Sequence, residues 1–163
     1  MKTALFPGSF DPFHNGHLEV VETASRLFER IVIAPISNPQ KSPAMFSLAE
    51  RRAMIAASVD HLDNVELSQY AAPMLVVDVA RAVGADVIVK GLRVSSDAES
   101  ELQQAQMNKA VSGVETVLVP CSSVYSFIAS RWLRDFMKYG GADRVGAMVP
   151  APVFAAIKEK FAL

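Results

Sequence analysis

The chain has 163 residues, 51% of them apolar and 20% charged, with a formal charge of −1. That size supports one domain with its own core, and the composition argues against disorder, fibres and repeat arrays. The near-neutral charge provides no global field for nucleic acid or anionic membrane, so an anionic ligand has to be held by local groups.

Leu5-Phe6 starts the first apolar strand, which turns at Pro7-Gly8. Residues 16–29 then follow helical spacing: Leu18, Val21, Ala24, Ser25 and Phe28 share one face, and Glu19, Glu22, Arg26 and Glu29 lie elsewhere. Residues 31–34 form a second strand, almost continuously apolar, as buried parallel strands are. Ser47-Leu48-Ala49-Glu50 has capping-box spacing and opens a helix to about Val59. Residues 65–67 make the third strand, and Pro73 suits the first turn of a third helix that ends near Gly84. Residues 86–89 form the fourth strand and 97–111 the fourth helix, carrying Leu102, Ala105, Met107 and Ala110. Residues 114–119 complete the strands; a fifth helix is expected from about Ser126 and a short terminal one over 153–161, after Pro150 and Pro152. This alternation implies an α/β chain: a single Rossmann-like domain over residues 1–163, with a doubly wound, five-stranded parallel sheet. Such sheets bind ligands beyond the carboxyl ends of their strands, which directs attention to the loops after strands one, two, four and five.

Cys121 is the sole cysteine, so an internal disulfide and a multi-thiolate metal site are excluded. The first apolar run turns too early for a signal peptide, and no eighteen-residue stretch lacks both charge and proline. A cytoplasmic protein is the expectation.

Between Pro7 and His17, Gly8 and Gly16 allow close backbone approach and Ser9 offers a hydroxyl. The helix start is expected to add unpaired amides and a positive dipole end, a setting for polyphosphate. The pattern is neither a Walker loop nor a dinucleotide fingerprint. His14 and His17 are about one helical turn apart, so one ring can donate to a phosphoryl oxygen as charge builds. A zinc pair and a pair of helix-capping histidines are the other readings of that spacing. Lys41 sits on the proline-stiffened stretch 38–43, either solvated or holding a phosphate. Lys90-Gly91-Leu92-Arg93 sets two cations around a small residue at the sheet crevice; an anion clamp is the favoured reading and a solvated basic turn the other. Glu99 and Glu101 suit a helix start on electrostatic grounds alone. The serines within 125–131 can cap a helix or, with its free amides, hold phosphates.

With His14-Asn15-Gly16-His17 in the first strand-to-helix loop, the sequence resembles the bacterial phosphopantetheine adenylyltransferase family. These are nucleotidyltransferases marked by His/Thr-x-Gly-His, and the resemblance runs along nearly the whole chain. It implies transfer of the adenylyl group of Mg-ATP to 4'-phosphopantetheine, giving dephospho-coenzyme A and pyrophosphate in coenzyme A biosynthesis. It also implies a homohexamer, magnesium bound through the ATP phosphates with no metal ligand from the chain, and no nucleic-acid or membrane partner. By the same resemblance His17 stabilises the transition state, and Lys41 and Arg93 assist catalysis. Ser9, Phe10, His14, His17, Gly91, Leu92, Arg93 and Glu101 would contact the nucleotide, together with Tyr125, Ser126, Phe127, Ile128, Ala129, Ser130 and Arg131. Ser9, Lys41, Val76, Lys90, Met107 and Asn108 would face the pantetheine substrate. Arg134 matches a basic position of the family. The chain departs from the pattern at His14, usually threonine, and at Ala98 and Ser100, usually aromatic. Ala129 and Arg131 replace two serines, and Trp132 a smaller apolar residue. Two other readings stay open: a related nucleotidyltransferase with another phosphorylated acceptor, and a nucleotide- or CoA-binding protein without catalysis.

Overall fold

In the computed structural model, which describes residues 2–36, 43–70, 73–93 and 98–163, five strands form one sheet. They are β1 (Thr3–Gly8), β2 (Arg30–Pro35), β3 (Val65–Leu67), β4 (Val87–Leu92) and β5 (Glu115–Pro120). Every pairing is parallel and the order is β3-β2-β1-β4-β5. The strand order therefore reverses at β1, which has β2 on one side and β4 on the other. The crevice of a doubly wound sheet opens at that reversal.

The connecting helices are α1 (Asn15–Leu27), α2 (Leu48–Val59), α3 (Val76–Val83), α4 (Ala98–Ser112) and α5 (Ser130–Lys138), with α6 (Ala151–Phe161) at the end. Successive strand residues face opposite sides of the sheet. Phe6, Ile31, Ile33 and Val89 accordingly pack with Val20, Val21, Met54, Ile55, Leu133 and Ile157 on one side. Leu5, Val32, Ala34 and Ile88 pack with Val79 and Ala80 of α3 on the other. Side chains buried as fully as Phe13, Phe46 and Ile31 contribute about 1.5–3 kcal/mol each relative to exposure.

The expected Ser47 cap forms: Ser47 Oγ accepts from Glu50 N at 3.2 Å and Glu50 Oε2 accepts from Ser47 N at 2.6 Å. Other boundaries move. The third helix begins at Val76 rather than in the turn of Pro73, and ends at Gly84 in a left-handed conformation, φ 67°. The fifth begins at Ser130, four residues after the expected start. Residues 122–128 instead make tight turns, Tyr125 N donating to Ser122 O and Ile128 N to Tyr125 O. Ser126 Oγ bonds to Ser123 O, a local competitor of helix formation. No residue of α4 is buried, and Leu102 and Met107 are 51% and 64% exposed.

Candidate active site

The loop from β1 to α1 folds sharply back on itself. Phe10 takes φ 49°, in the left-handed region where a side chain is strained. Its ring lies over Gly8, where a Cβ would come within 2.8 Å of two ring carbons, so glycine is required there by contact. Phe10 is 2% exposed and forms one wall of an aromatic nest around His17. Phe10 meets the His17 ring edge-on at 5.0 Å, and Phe13 and His14 stack on it at 5.4 and 3.6 Å.

The two histidines form a capping box. His14 is the N-cap of α1, and its Nδ1 accepts from Gly16 N at 3.1 Å and His17 N at 3.4 Å. His17 reciprocates, its Nδ1 accepting from His14 N at 3.2 Å. An imidazole that accepts at Nδ1 carries its hydrogen on Nε2 when neutral, and both rings are held neutral. Burial, with Arg93 nearby, lowers His14 to about 3. Burial is also the largest cause holding His17 well below the ordinary histidine range, followed by His14, Arg93 and Lys90. Each ring is thus a fixed Nε2–H donor in a cleft both help to line. Capping and donation, alternatives in the sequence, are compatible because they use different nitrogens.

This capping overturns one expectation. The Gly16 and His17 amides at the start of α1 are taken up by the His14 imidazole and are not available to a polyphosphate. α5 supplies amides instead. Its N-cap is Ala129, with no side-chain cap bond, and Ala129, Ser130 and Arg131 all line the cleft. Ser130 Oγ is occupied, donating to Pro12 O at 2.9 Å, so it ties the α5 start to the β1–α1 loop. An uncapped helix start beside a cleft is an anion site by its amides and its dipole.

The cleft itself encloses about 640 Å³. Among the described residues its wall carries four cationic side chains, Lys90, Arg93, Arg131 and Arg134, and one carboxylate, Glu101. A chain of nearly zero net charge therefore concentrates positive charge where the sheet order reverses. Lys90 Nζ lies 3.4 Å from Glu101 Oε2, an oxygen that is buried and makes no hydrogen bond. Arg93 Nη1 donates to Ile128 O at 2.8 Å, anchoring β4 to the turn before α5. Arg131 stands 4.7 Å above the Trp132 ring, a stacking that guanidinium supports.

The cleft unites Ser9, Phe10, His14, His17, Lys90, Gly91, Arg93, Glu101, Ala129, Ser130 and Arg131. Lys41 lies outside the described residues. Leu92 is the last residue of β4 and its carbonyl accepts from Cys121 N. Tyr125, Ser126, Phe127 and Ile128 lie on the turns before α5 rather than on the cleft wall; Phe127 is 65% exposed and Ile128 buried. Val76 opens α3, and Met107 and Asn108 lie mid-way along α4, all away from the wall. Sequence spacing had not placed Cys121, Val20 or Trp132 there, yet all three line it. Cys121 faces Gly91, where a Cβ would sit 3.4 Å from Sγ and 2.9 Å from Val20 Cγ2. Burial and Glu19 push the Cys121 thiol up, so it remains protonated.

Residues 5–136 match the Cytidylyltransferase-like family. The chain is 45% identical over 161 residues to the phosphopantetheine adenylyltransferase of a Synechococcus species, covering 98% of each chain. It is 40% identical over 162 residues to that of Alkaliphilus oremlandii, covering 99% of this chain and 100% of the other, and 42% identical over 160 to that of Gloeobacter violaceus, covering 98% and 96%. A solved structure from Vibrio parahaemolyticus, assigned as a nicotinate-nucleotide adenylyltransferase, superposes over the full length of both chains with a TM-score of 0.66 at 16% identity, a likeness of fold. With whole-length identities of this size and the His14-Asn15-Gly16-His17 loop in place, the chain belongs to the phosphopantetheine adenylyltransferase family of nucleotidyltransferases.

Proposed function

We propose that the chain transfers the adenylyl group of ATP to 4'-phosphopantetheine, releasing dephospho-coenzyme A and pyrophosphate, in the cleft where the sheet order reverses. The observation that carries this reading is one cavity joining a neutral, Nε2-protonated His17 to four cations and an uncapped helix start. A 4'-phosphate oxygen attacks the α-phosphorus, the bond to the bridging oxygen breaks, and pyrophosphate leaves with that electron pair. No protein nucleophile is needed, so positioning and charge stabilisation supply the rate. His17 donates to the α-phosphoryl oxygen, and His14 lies against it. Lys90, and Lys41 by family resemblance, neutralise the attacking phosphate. Arg93, Arg131 and the α5 amides hold the leaving phosphates. Glu101, Phe10 and the 125–128 turn belong to the nucleotide side, and Val76, Met107 and Asn108 to the pantetheine arm.

Magnesium, when bound, supplies positive charge to the phosphates. Among the described residues no three His, Cys, Asp or Glu side chains are grouped to hold a metal; by resemblance the ion would be carried on ATP oxygens. The unburied α4, with Leu102 and Met107 exposed, supports a second copy packed on it, and we extend this to a homohexamer by resemblance. One domain spans the chain. No described helix is long and apolar enough to cross a membrane, and a cytoplasmic location is proposed.

The test is pyrophosphate release from Mg-ATP with phosphopantetheine, nicotinate mononucleotide or glycerol phosphate as acceptor. Release with phosphopantetheine above the other two is expected. Faster turnover of another acceptor, or ATP binding with no product from any, would overturn the assignment.

A further inference from the structure

The loop that carries the histidine cap is clamped by side chains from two helices, α2 and α5, of which only the α2 side chain lies off the cleft wall. Three of its carbonyls are each held by a side chain from a helix. Arg51 of α2 donates from Nη1 to Ser9 O at 2.6 Å, Arg134 of α5 donates from Nη1 to Asp11 O at 2.6 Å, and Ser130 of α5 holds Pro12 O. Arg51 is 3% exposed and is not part of the cleft wall. Its Nε donates to Phe46 O at 3.1 Å, so one guanidinium spans the β1–α1 loop and the segment that enters α2. Asp11, 5% exposed, makes the return connection: Oδ1 accepts from Phe46 N and Oδ2 from Met45 N, both at 2.9 Å. Phe46 is thus held at its amide by Asp11 and at its carbonyl by Arg51.

Burying a guanidinium and a carboxylate is costly unless each finds partners. Here the hydrogen-bond partners are backbone groups of two loops, and Arg134 Nε stands 3.9 Å from Asp11 Oδ2, so the pair's output is the register of those loops and their tie to α5. Between the Ser9 carbonyl and the His14 cap lies the strained Phe10, whose conformation needs surrounding support. We propose that Arg51 is a positioning residue for adenylyl transfer, acting with Asp11 to fix the loop over residues 9–14 and through it the His14 and His17 cap. This rests on the cleft being the adenylyl-transfer site.

Lysine at position 51 keeps the charge but has no rigid fork to span both carbonyls. Asparagine at position 11 offers one acceptor oxygen where two amides need one each. Arg51→Lys and Asp11→Asn are each assayed for pyrophosphate release, with ATP sites counted by calorimetric titration so that turnover is expressed per ATP-binding site. Misplacement on the ångström scale costs up to about a hundredfold, so kcat per site is expected to fall by about ten- to a hundredfold in both. Both KM values stay within about threefold, because the anion-binding Lys90 and Arg93 stand on β4. A purely structural role lowers the number of sites and leaves kcat per site intact, and that result overturns the proposal. So does a rise in the KM for ATP with kcat unchanged. Should Arg51→Lys fail to fold, Asp11→Asn decides alone. A parent enzyme silent with phosphopantetheine overturns the adenylyl-transfer reading as well; an active parent with unaffected variants overturns this proposal only.

Discussion

His17 performs two separable jobs through its two nitrogens, and two substitutions divide them. Nδ1 accepts from His14 N at 3.2 Å and completes the cap of α1; Nε2 carries the hydrogen offered to the reacting phosphoryl group. An asparagine oxygen occupies roughly the place of Nδ1, so His17→Asn retains a cap acceptor and loses the donor. Glutamine reaches roughly as far as Nε2, so His17→Gln restores a donor and abandons the cap. Loss of one donor aimed at developing charge costs about 3–4 kcal/mol, or about two to three powers of ten in rate. Loss of a cap bond costs about 1 kcal/mol, which for a chain of this length lowers Tm by about 2–4 °C. Both variants also lose the ring that stacks on His14 at 3.6 Å and Phe13 at 5.4 Å, a shared penalty that cancels when they are compared. His17→Asn is therefore expected to be the more stable and the less active of the two, by pyrophosphate release and thermal unfolding measured side by side. Turnover of His17→Asn within about threefold of the parent would refute the donor role, whatever its Tm.

Acidification should destabilise the fold through the same pair. His14 is held near 3 in the folded chain, whereas an unfolded histidine titrates near about 6.5. Between those values the unfolded chain binds the extra proton, so stability is full above about pH 6.5 and falls by about 1.4 kcal/mol per pH unit below it. Denaturant titrations at pH 7 and pH 5 should show a larger loss for the parent than for His14→Asn, which keeps an N-cap acceptor without the titration; equal losses would contradict the neutral, buried ring. Gly8→Ala puts a methyl 2.8 Å from the Phe10 ring and is expected to cost about 1–3 kcal/mol. It should also slow turnover, because Phe10 walls His17. Unchanged turnover would show that this wall does not position the imidazole.

Period and punctuation in the sequence were enough for the class of fold. The runs at 31–34 and 87–89 are apolar on both faces, as strands buried between helix layers must be. The Ser47 and Glu50 spacing encodes a local cap that needs no distant partner. The histidine spacing was equally visible, and it announced a helix start near residue 15. What it left open was the division of labour between the ring nitrogens, since that depends on which backbone amides the loop delivers to Nδ1.

Long-range placement was decided by the tertiary structure. Ser126 reads as a helix start locally, but Arg93 from β4 holds Ile128 O and Ser130 holds Pro12 O, so the helix opens at 130 with its amides uncapped. Met107 looks like core in a helical repeat and stands exposed, because the surface that would cover α4 is not supplied by the described part of this chain. Arg51 gave no signal as one of two adjacent arginines in an amphipathic helix; the bond that sets it apart goes to a carbonyl 42 residues earlier. Sequence periodicity records which face of an element is buried, whereas a cleft is assembled from loop ends whose meeting depends on sheet order. That order, β3-β2-β1-β4-β5, brings the ends of β1 and β4 and the start of α5 around one space.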